Sequence, residues 1–362
     1  MRILVFGPLS GHGSYPTVMR GLVSAFRELG LTVVTADISG AAGDIDRYGV
    51  RELSLGKMPE GVDVDLVFAM KPSISMARLV DAGHKLVGLH VGDVSEIPQD
   101  WQLVMAREEL VVVPSTWMER VVRNAIGEAV PVCVSNHGIE QAYIDAGSAP
   151  PPPAGEAFKW LHFCSAGVYP ERKGTPEALR AFQRLVRAGH GGTLTLVIPE
   201  RRRRLKRFLG ALDADCRERV LVSLQPMGLS STQMIKLYQD HHALLAPSRA
   251  EGFGIQPLEA RALGRPVVQT LCTGFRDGCP TTSDPLSRGV VEVAVGEFKP
   301  AWGDFGEAPE VTVQAVAEAM QLCMVQYTKV QAAAESCMPD MRNWSWTETT
   351  RSLVATLLKE GT

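Results

Sequence analysis

The sequence predicts an α/β protein of two doubly wound domains, each a largely parallel sheet with helices on both faces. Three observations predict it. Short, almost continuously apolar strands alternate with amphipathic helical segments through both halves of the 362-residue chain. A run of four prolines, Pro150 to Pro153, interrupts that alternation, which then restarts. The length also suits two domains of about 150 to 180 residues better than one.

In the first half, RILVFG (Arg2 to Gly7) is a buried strand followed by a glycine-containing loop. Val18, Leu22, Ala25, Phe26 and Leu29 then recur at helical spacing from Thr17 to Leu29, and Gly30 stops that helix. LTVVTA (Leu31 to Ala36), DLVFAM (Asp65 to Met70), KLVGLH (Lys85 to His90), LVVVP (Leu110 to Pro114) and VPVCVS (Val130 to Ser135) continue the strands. Residues 1–145 are thus a first domain, and 146–157 a proline-rich linker that continues neither strand nor helix. Residues 158–340 repeat the architecture: WLHFCSAG, a helix from Thr175 to Ala188, TLTLVIP, VLVSLQP, ALLAPS and PVVQTL. From Phe275 to Pro309 the chain is rich in Gly, Pro and Asp and carries no periodic pattern. Residues 341–362 end in an apolar helix opened by Ser345 and Glu348, spaced as a capping box.

Composition narrows the function classes. A hydrophobic fraction of 45% and a charged fraction of 21% are ordinary for a soluble globular protein. With 6% aromatic residues, a long aromatic-lined groove is not expected. No apolar run approaches the roughly 18 to 20 residues of a membrane-spanning helix. The apolar stretch after Arg2 is also shorter than the roughly 7 to 15 residues of a signal peptide core, so a cytoplasmic protein is expected. Seven widely spaced cysteines without a CxxC pair indicate reduced thiols, not a zinc site or a disulfide framework. The net charge of −3 is uneven, since residues 1–150 hold 12 Lys+Arg against 18 Asp+Glu.

The most informative segment is ALLAPSRAEGFGIQPLEARALGRPVVQTL, Ala243 to Leu271. A strand ends at Pro247, a loop carries Glu251, Gly252, Phe253 and Gly254, and a helix runs from about Ile255 to Leu263. Gly264 and Pro266 close it. A glycine-containing turn that opens a helix at the carboxyl edge of a sheet is an anion site, because the first helical N–H groups have no partner within the helix and the dipole favours negative charge. Glu251 lies on the loop, and Glu259 in the second turn of the helix.

The stretch PSRAEGFGIQPLEARALGRPVV resembles the E-x7-E signature of the family 4 retaining glycosyltransferases, PS-x-x-EGFG-x-x-x-LEA-x-A-x-G-x-PVV. CSAGVYPERKGTPEALRAF (Cys164 to Phe182) is similar to the family's glycine and Lys-Gly turn, with Val168 after Gly167 where relatives carry an Arg. PSTWMERVV and VSNHGIE resemble two further segments, although His137 splits the usual Asn-Gly pair. The resemblance implies a GT-B fold, two Rossmann-like domains facing across a cleft, with the last helix crossing back over the first domain. It implies that Glu251 lies against the donor sugar, that Glu259 holds the ribose hydroxyls, and that Gly252, Phe253, Gly254 and Ile255 meet the sugar or diphosphate. Lys173 and Arg172 would neutralise the departing diphosphate. Gly11 and Gly13 would approach the donor phosphate, and His90 the acceptor hydroxyl.

The activity so implied is retaining transfer of a hexose or pentose from a nucleotide-diphospho-sugar, expected to be a UDP-sugar, without metal or other cofactor. A metal-dependent site would need an Asp-x-Asp pair; Asp44/Asp46, Asp63/Asp65 and Asp213/Asp215 all match, which shows how common that pattern is. A non-catalytic nucleotide-sugar-binding protein is the alternative of another class. The acid excess of the first half disfavours a polyanionic acceptor there, so a small molecule, glycan or protein is preferred. Modified DNA is the alternative acceptor, through the basic run Arg201 to Arg204, Lys206 and Arg207.

Overall fold

The structure, a computed structural model of the chain, describes residues 1–11, 13–39, 53–148, 150, 152, 157–164, 169–198, 203–225, 228–279, 284–302 and 306–360. The chain divides into two compact units, Met1–Gly138 with Trp344–Thr362, and Ile139–Asn343. The proline-rich segment straddles residues outside those described, as do Asp44 and Asp46, Gly167 and Val168, and Arg201 and Arg202.

In the first unit β1 (Arg2–Gly7), β2 (Thr32–Asp37), β3 (Leu66–Met70), β4 (Leu86–Leu89), β5 (Leu110–Val113) and β6 (Val132–Val134) form a parallel sheet in the order β2-β1-β3-β4-β5-β6. Strands β3, β4 and β5 are buried along their whole length, which is why they read as unbroken apolar runs. The helix after β1 spans Ser14–Glu28, three residues earlier than its apolar pattern indicated. Pro16 falls in its first turn, where a missing N–H costs no hydrogen bond. The last helix, Trp346–Glu360, belongs to this unit and packs on the helix Ser14–Glu28. Its Trp346 ring covers Gly21 and lies 5.8 Å from the ring of buried His137. The Glu348 amide donates to Ser345 Oγ at 3.3 Å, while the Glu348 carboxylate turns to Arg351, so only half of the expected capping box forms.

In the second unit β7 (Lys159–Phe163), β8 (Thr193–Ile198), β9 (Val220–Leu224), β10 (Ala243–Ala246), β11 (Val267–Thr270) and β12 (Val290–Val293) are parallel in the order β12-β11-β10-β7-β8-β9. One core, including Trp160, Phe182, Leu196, Leu245 and Met320, unites the sheet with the helices Thr175–Arg187 and Val313–Val325. The unpatterned stretch contains β12 and an antiparallel hairpin of β13 (Val295–Pro300) with β14 (Glu307–Val311). Strand β13 is exposed along its whole length, so no apolar alternation marks it.

Both sheets reverse direction once. Strand order changes sense between β1 and β3 in the first sheet and between β7 and β10 in the second. Loops leaving the carboxyl ends of such a pair diverge and leave a crevice, where open α/β sheets take their ligands. No disulfide joins any of the seven cysteines. No helix among the described residues is long and apolar enough to cross a membrane.

Candidate active site

The strands beside the second reversal, β7 and β10, are tied together beneath their loops by His162. Its Nδ1 lies 2.8 Å from the Leu245 carbonyl, which can only accept, so Nδ1 carries the proton. Burial holds the imidazole neutral, its pKa lowered to about 4, so Nε2 accepts from the Thr175 hydroxyl at 2.9 Å. Above this link the chain after β7 makes a 3-10 turn, Pro170–Lys173. Gly174 ends it in the left-handed region at φ 64°, and a Cβ there would lie 2.0 Å from the Pro247 carbonyl oxygen. Glycine therefore lets this turn rest directly on the segment leaving β10. The Arg249 amide completes the tie, donating to the Arg172 carbonyl at 2.9 Å.

That contact brings Arg172, Lys173 and Glu251 together. Lys173 Nζ is 2.6 Å from Glu251 Oε1, and Arg172 Nη1 is 3.2 Å from Glu251 Oε2 and also 3.2 Å from the Ala250 carbonyl. Glu251 is buried. Burial opposes its charge, but Lys173 and Arg172, with hydrogen bonds from Lys173 and Ser248, outweigh that and hold the carboxyl below its ordinary value. Its backbone is fixed by Thr273, whose hydroxyl accepts from the Glu251 amide at 3.0 Å, and by Gly274, whose amide donates to the Glu251 carbonyl at 2.9 Å. The helix Ile255–Ala262 opens at Gly254, φ 87°, without a side-chain cap, and a Cβ on Gly254 would strike the Phe275 ring at 2.0 Å. Phe253 is buried, and a narrow pocket beside this turn is lined by His162, Lys173, Ser248, Gln256 and Phe275. Thr273 and Gln256 have no signal in the sequence beyond lying near the motif, whereas Ser248 is the serine of the Pro-Ser pair that opens it.

Glu259 has separate surroundings. Tyr238 Oη donates to its Oε2 at 2.8 Å, and the Tyr143 hydroxyl bonds the same carboxyl. Burial raises its pKa to about 7; the two tyrosine bonds oppose that rise and nearby Glu140 adds to it. The Ser231 hydroxyl bonds Glu140 in turn. Sequence reading missed Tyr143 and Tyr238, which lie more than a hundred and about twenty positions from Glu259 and have no shared spacing. Because the folded pKa exceeds the ordinary 4.5, the folded state holds this proton more tightly than the unfolded chain. Stability therefore falls as pH rises from about 4.5 through about 7. Relative to Glu259→Gln, the wild type is expected to lose about 2–3 kcal/mol between pH 5 and pH 8 in denaturant unfolding. Parallel pH curves for the two proteins would remove the shifted carboxyl from the account.

His90, Gly11 and Gly13 lie in the first unit. His90 follows β4, buried, with Nε2 2.8 Å from Glu108 Oε1, a partner that its sequence surroundings did not indicate. Gly11, at φ 90°, and Gly13, which precedes the helix Ser14–Glu28, form the loop after β1, and Arg20 Nη1 donates to the carbonyls of Leu9 and Gly11. Among the described residues, no group of three or more His, Cys, Asp or Glu side chains is placed to hold a metal ion. Asp65 accepts from the Arg2 amide, while Asp213 and Asp215 pair with Arg187 and Arg219. Lys206 and Arg207 are exposed on the helix Arg203–Gly210.

A family model described as family 4 glycosyltransferase in conflict systems matches residues 122–353. No curated protein matches the chain. Among solved structures, sucrose-phosphate synthase from Thermosynechococcus elongatus aligns over 100% of both chains with a TM-score of 0.70 and 14% identity. The Anabaena protein HepE, in complex with UDP-glucose, aligns over 99% of this chain and 100% of its own, with a TM-score of 0.71 and 15% identity. A glycosyltransferase from Rickettsia africae ESF-5 covers 99% of this chain and 98% of its own, with a TM-score of 0.67 and 16% identity. These likenesses carry the fold, GT-B with two Rossmann-like halves. The matched residues include β7 to β12 and the whole E-x7-E turn, and on that match the chain belongs to the family 4 glycosyltransferases of conflict systems.

Proposed function

We propose that the protein is a retaining, metal-independent glycosyltransferase that takes a hexose or pentose from a UDP-sugar. The observation that carries this reading is the buried Glu251 carboxylate held between Lys173 and Arg172 at the strand reversal, beside an uncapped helix N-terminus. Two cations and a nearby helix N-terminus offer what a diphosphate leaving group needs, positive charge held in place before the bond breaks. A divalent cation would duplicate them. That the Anabaena protein of like fold was solved with UDP-glucose supports the choice of donor. The same reading takes the protein to be cytoplasmic.

In this mechanism Lys173 and Arg172 hold the diphosphate, with Gly252, Phe253, Gly254 and Ile255 presenting the helix entrance to it. Glu251 accepts from a sugar hydroxyl and stabilises positive charge developing at the anomeric carbon. Glu259 receives the ribose hydroxyls on the acceptor positions that Tyr143 and Tyr238 leave open. Gly11 and Gly13 approach the donor phosphate, and His90 binds the acceptor hydroxyl. The acceptor attacks from the face that the leaving group vacates, and a departing phosphate oxygen takes its proton. Catalysis is then positioning and charge stabilisation, with no covalent enzyme intermediate.

The test is nucleotide release from UDP-, GDP- and ADP-sugars by the full-length protein, with and without EDTA. Turnover of one donor class, unchanged by EDTA, is expected, together with thermal stabilisation by its nucleotide. Turnover abolished by EDTA, or no stabilisation by any nucleotide, would overturn the mechanism.

A further inference from the structure

The first unit carries an array of side chains at the reversal of its own sheet that the donor chemistry does not use. Tyr15 stands in the first turn of the helix after β1, and Lys71 is the residue immediately after β3, so the two strands flanking that reversal each deliver one side chain. Lys71 Nζ lies 2.6 Å from Tyr15 Oη, 4.6 Å from the centre of the Tyr15 ring and 4.9 Å from the centre of the Trp101 ring. Its backbone is held at φ 47°, rare for a side chain of this size, with its amide donating to the Leu89 carbonyl at 2.9 Å. Among the described residues no carboxylate pairs with Lys71, although residues 1–150 carry 18 acids.

The array continues inward. The Trp101 and His90 rings are 5.9 Å apart, and His90 is bonded to Glu108. His90 Nδ1 and Glu108 Oε2 are buried and have no partner among the described residues. The Glu108 carboxylate reaches this position because residue 88 is glycine: a Cβ there would lie 2.3 Å from Glu108 Oε1.

We propose that this array is the acceptor subsite, and that it takes a small hydroxylated molecule bearing a single phosphate or carboxylate. An ammonium has three N–H donors; Tyr15 Oη accepts from one, and aromatic faces attract the charge without supplying oxygen lone pairs. An oxyanion completes the set. The Trp101 face suits the C–H side of a sugar ring, and the unpartnered His90 nitrogen suits a hydroxyl. The single cation of this array attracts one anionic group, while the acid excess of residues 1–150 repels a polyanion. The assignment of the bound molecule as acceptor rests on the transferase reading, whereas the anion preference rests on Lys71 alone.

The experiment is a tryptophan-fluorescence titration of the full-length protein, without nucleotide, using glucose 6-phosphate, glucuronate, glucose and a short oligonucleotide. Saturable change is expected with glucose 6-phosphate, glucuronate or both, which also decides between phosphate and carboxylate. Glucose is expected to bind about tenfold or more weakly, and Lys71→Met to remove that difference while Lys71→Arg keeps most of it. Equal affinity for glucose and the anions, an unchanged anion affinity in Lys71→Met, or tighter binding of the oligonucleotide would each overturn the proposal. Nucleotide binding by thermal shift is measured in parallel. Its absence in the wild type would defeat the transferase reading while leaving the anion result standing.

Discussion

Glu251→Ala is expected to lower nucleotide release about 10³-fold and to cost about 2–3 kcal/mol of stability. Both effects follow from one carboxylate with two tasks. In the proposed transfer it is the group placed against developing positive charge, and its removal would forfeit a preorganised stabilisation of that charge. In the fold it is the counter-charge of Lys173 and Arg172, and its loss leaves two partly buried cations facing each other. The cost falls below that of breaking a fully buried pair because the Arg172 side chain keeps 22% of its exposure to water. A second measurement separates the two tasks. Because the cations hold the Glu251 pKa below 4.5, its charge stabilises the fold above that value, and the stability is lost as pH falls through the lowered pKa. Glu251→Gln is therefore expected to flatten the acid limb of the stability curve. An unaltered acid limb would show that this carboxylate is not the counter-charge of the fold, and turnover within threefold of wild type that it has no task in transfer.

Lys173→Met is expected to lower turnover by about 10² to 10³-fold, the usual loss when one fixed donor to a developing anion is removed. Met keeps most of the length of the side chain and removes the charge, so the loss reports electrostatics and not a cavity. Lys173→Arg should recover part of the rate, since it restores charge near Glu251 with a different shape. Without Lys173 the Glu251 carboxyl keeps its burial and loses its nearest cation, so its pKa should rise. Turnover by Lys173→Met within a factor of three of wild type would assign the leaving group to other cations.

The E-x7-E turn is legible in the sequence because its parts are local. Glu251, Gly254, Glu259 and Gly264 lie within one strand-turn-helix unit, and backbone conformation alone requires glycine at φ 87° and φ 67°. The parallel strands are legible for a similar reason: a strand buried on both faces has to be apolar throughout, and the composition of five residues records it. Strand β13, exposed throughout, leaves no such record.

What the residues near each motif cannot encode is the identity of partners brought from far along the chain. Lys173 meets Glu251 across 78 positions because β7 and β10 are neighbours, an order set by the packing of the whole sheet. Tyr238 and Tyr143 reach Glu259, and Glu108 reaches His90, through the same long-range arrangement. Those encounters decide which carboxyl stays charged and which takes up its proton near neutral pH. The physical reason is that a motif specifies a backbone path over one turn, whereas the charge state of a buried group depends on every neighbour that excludes water from it.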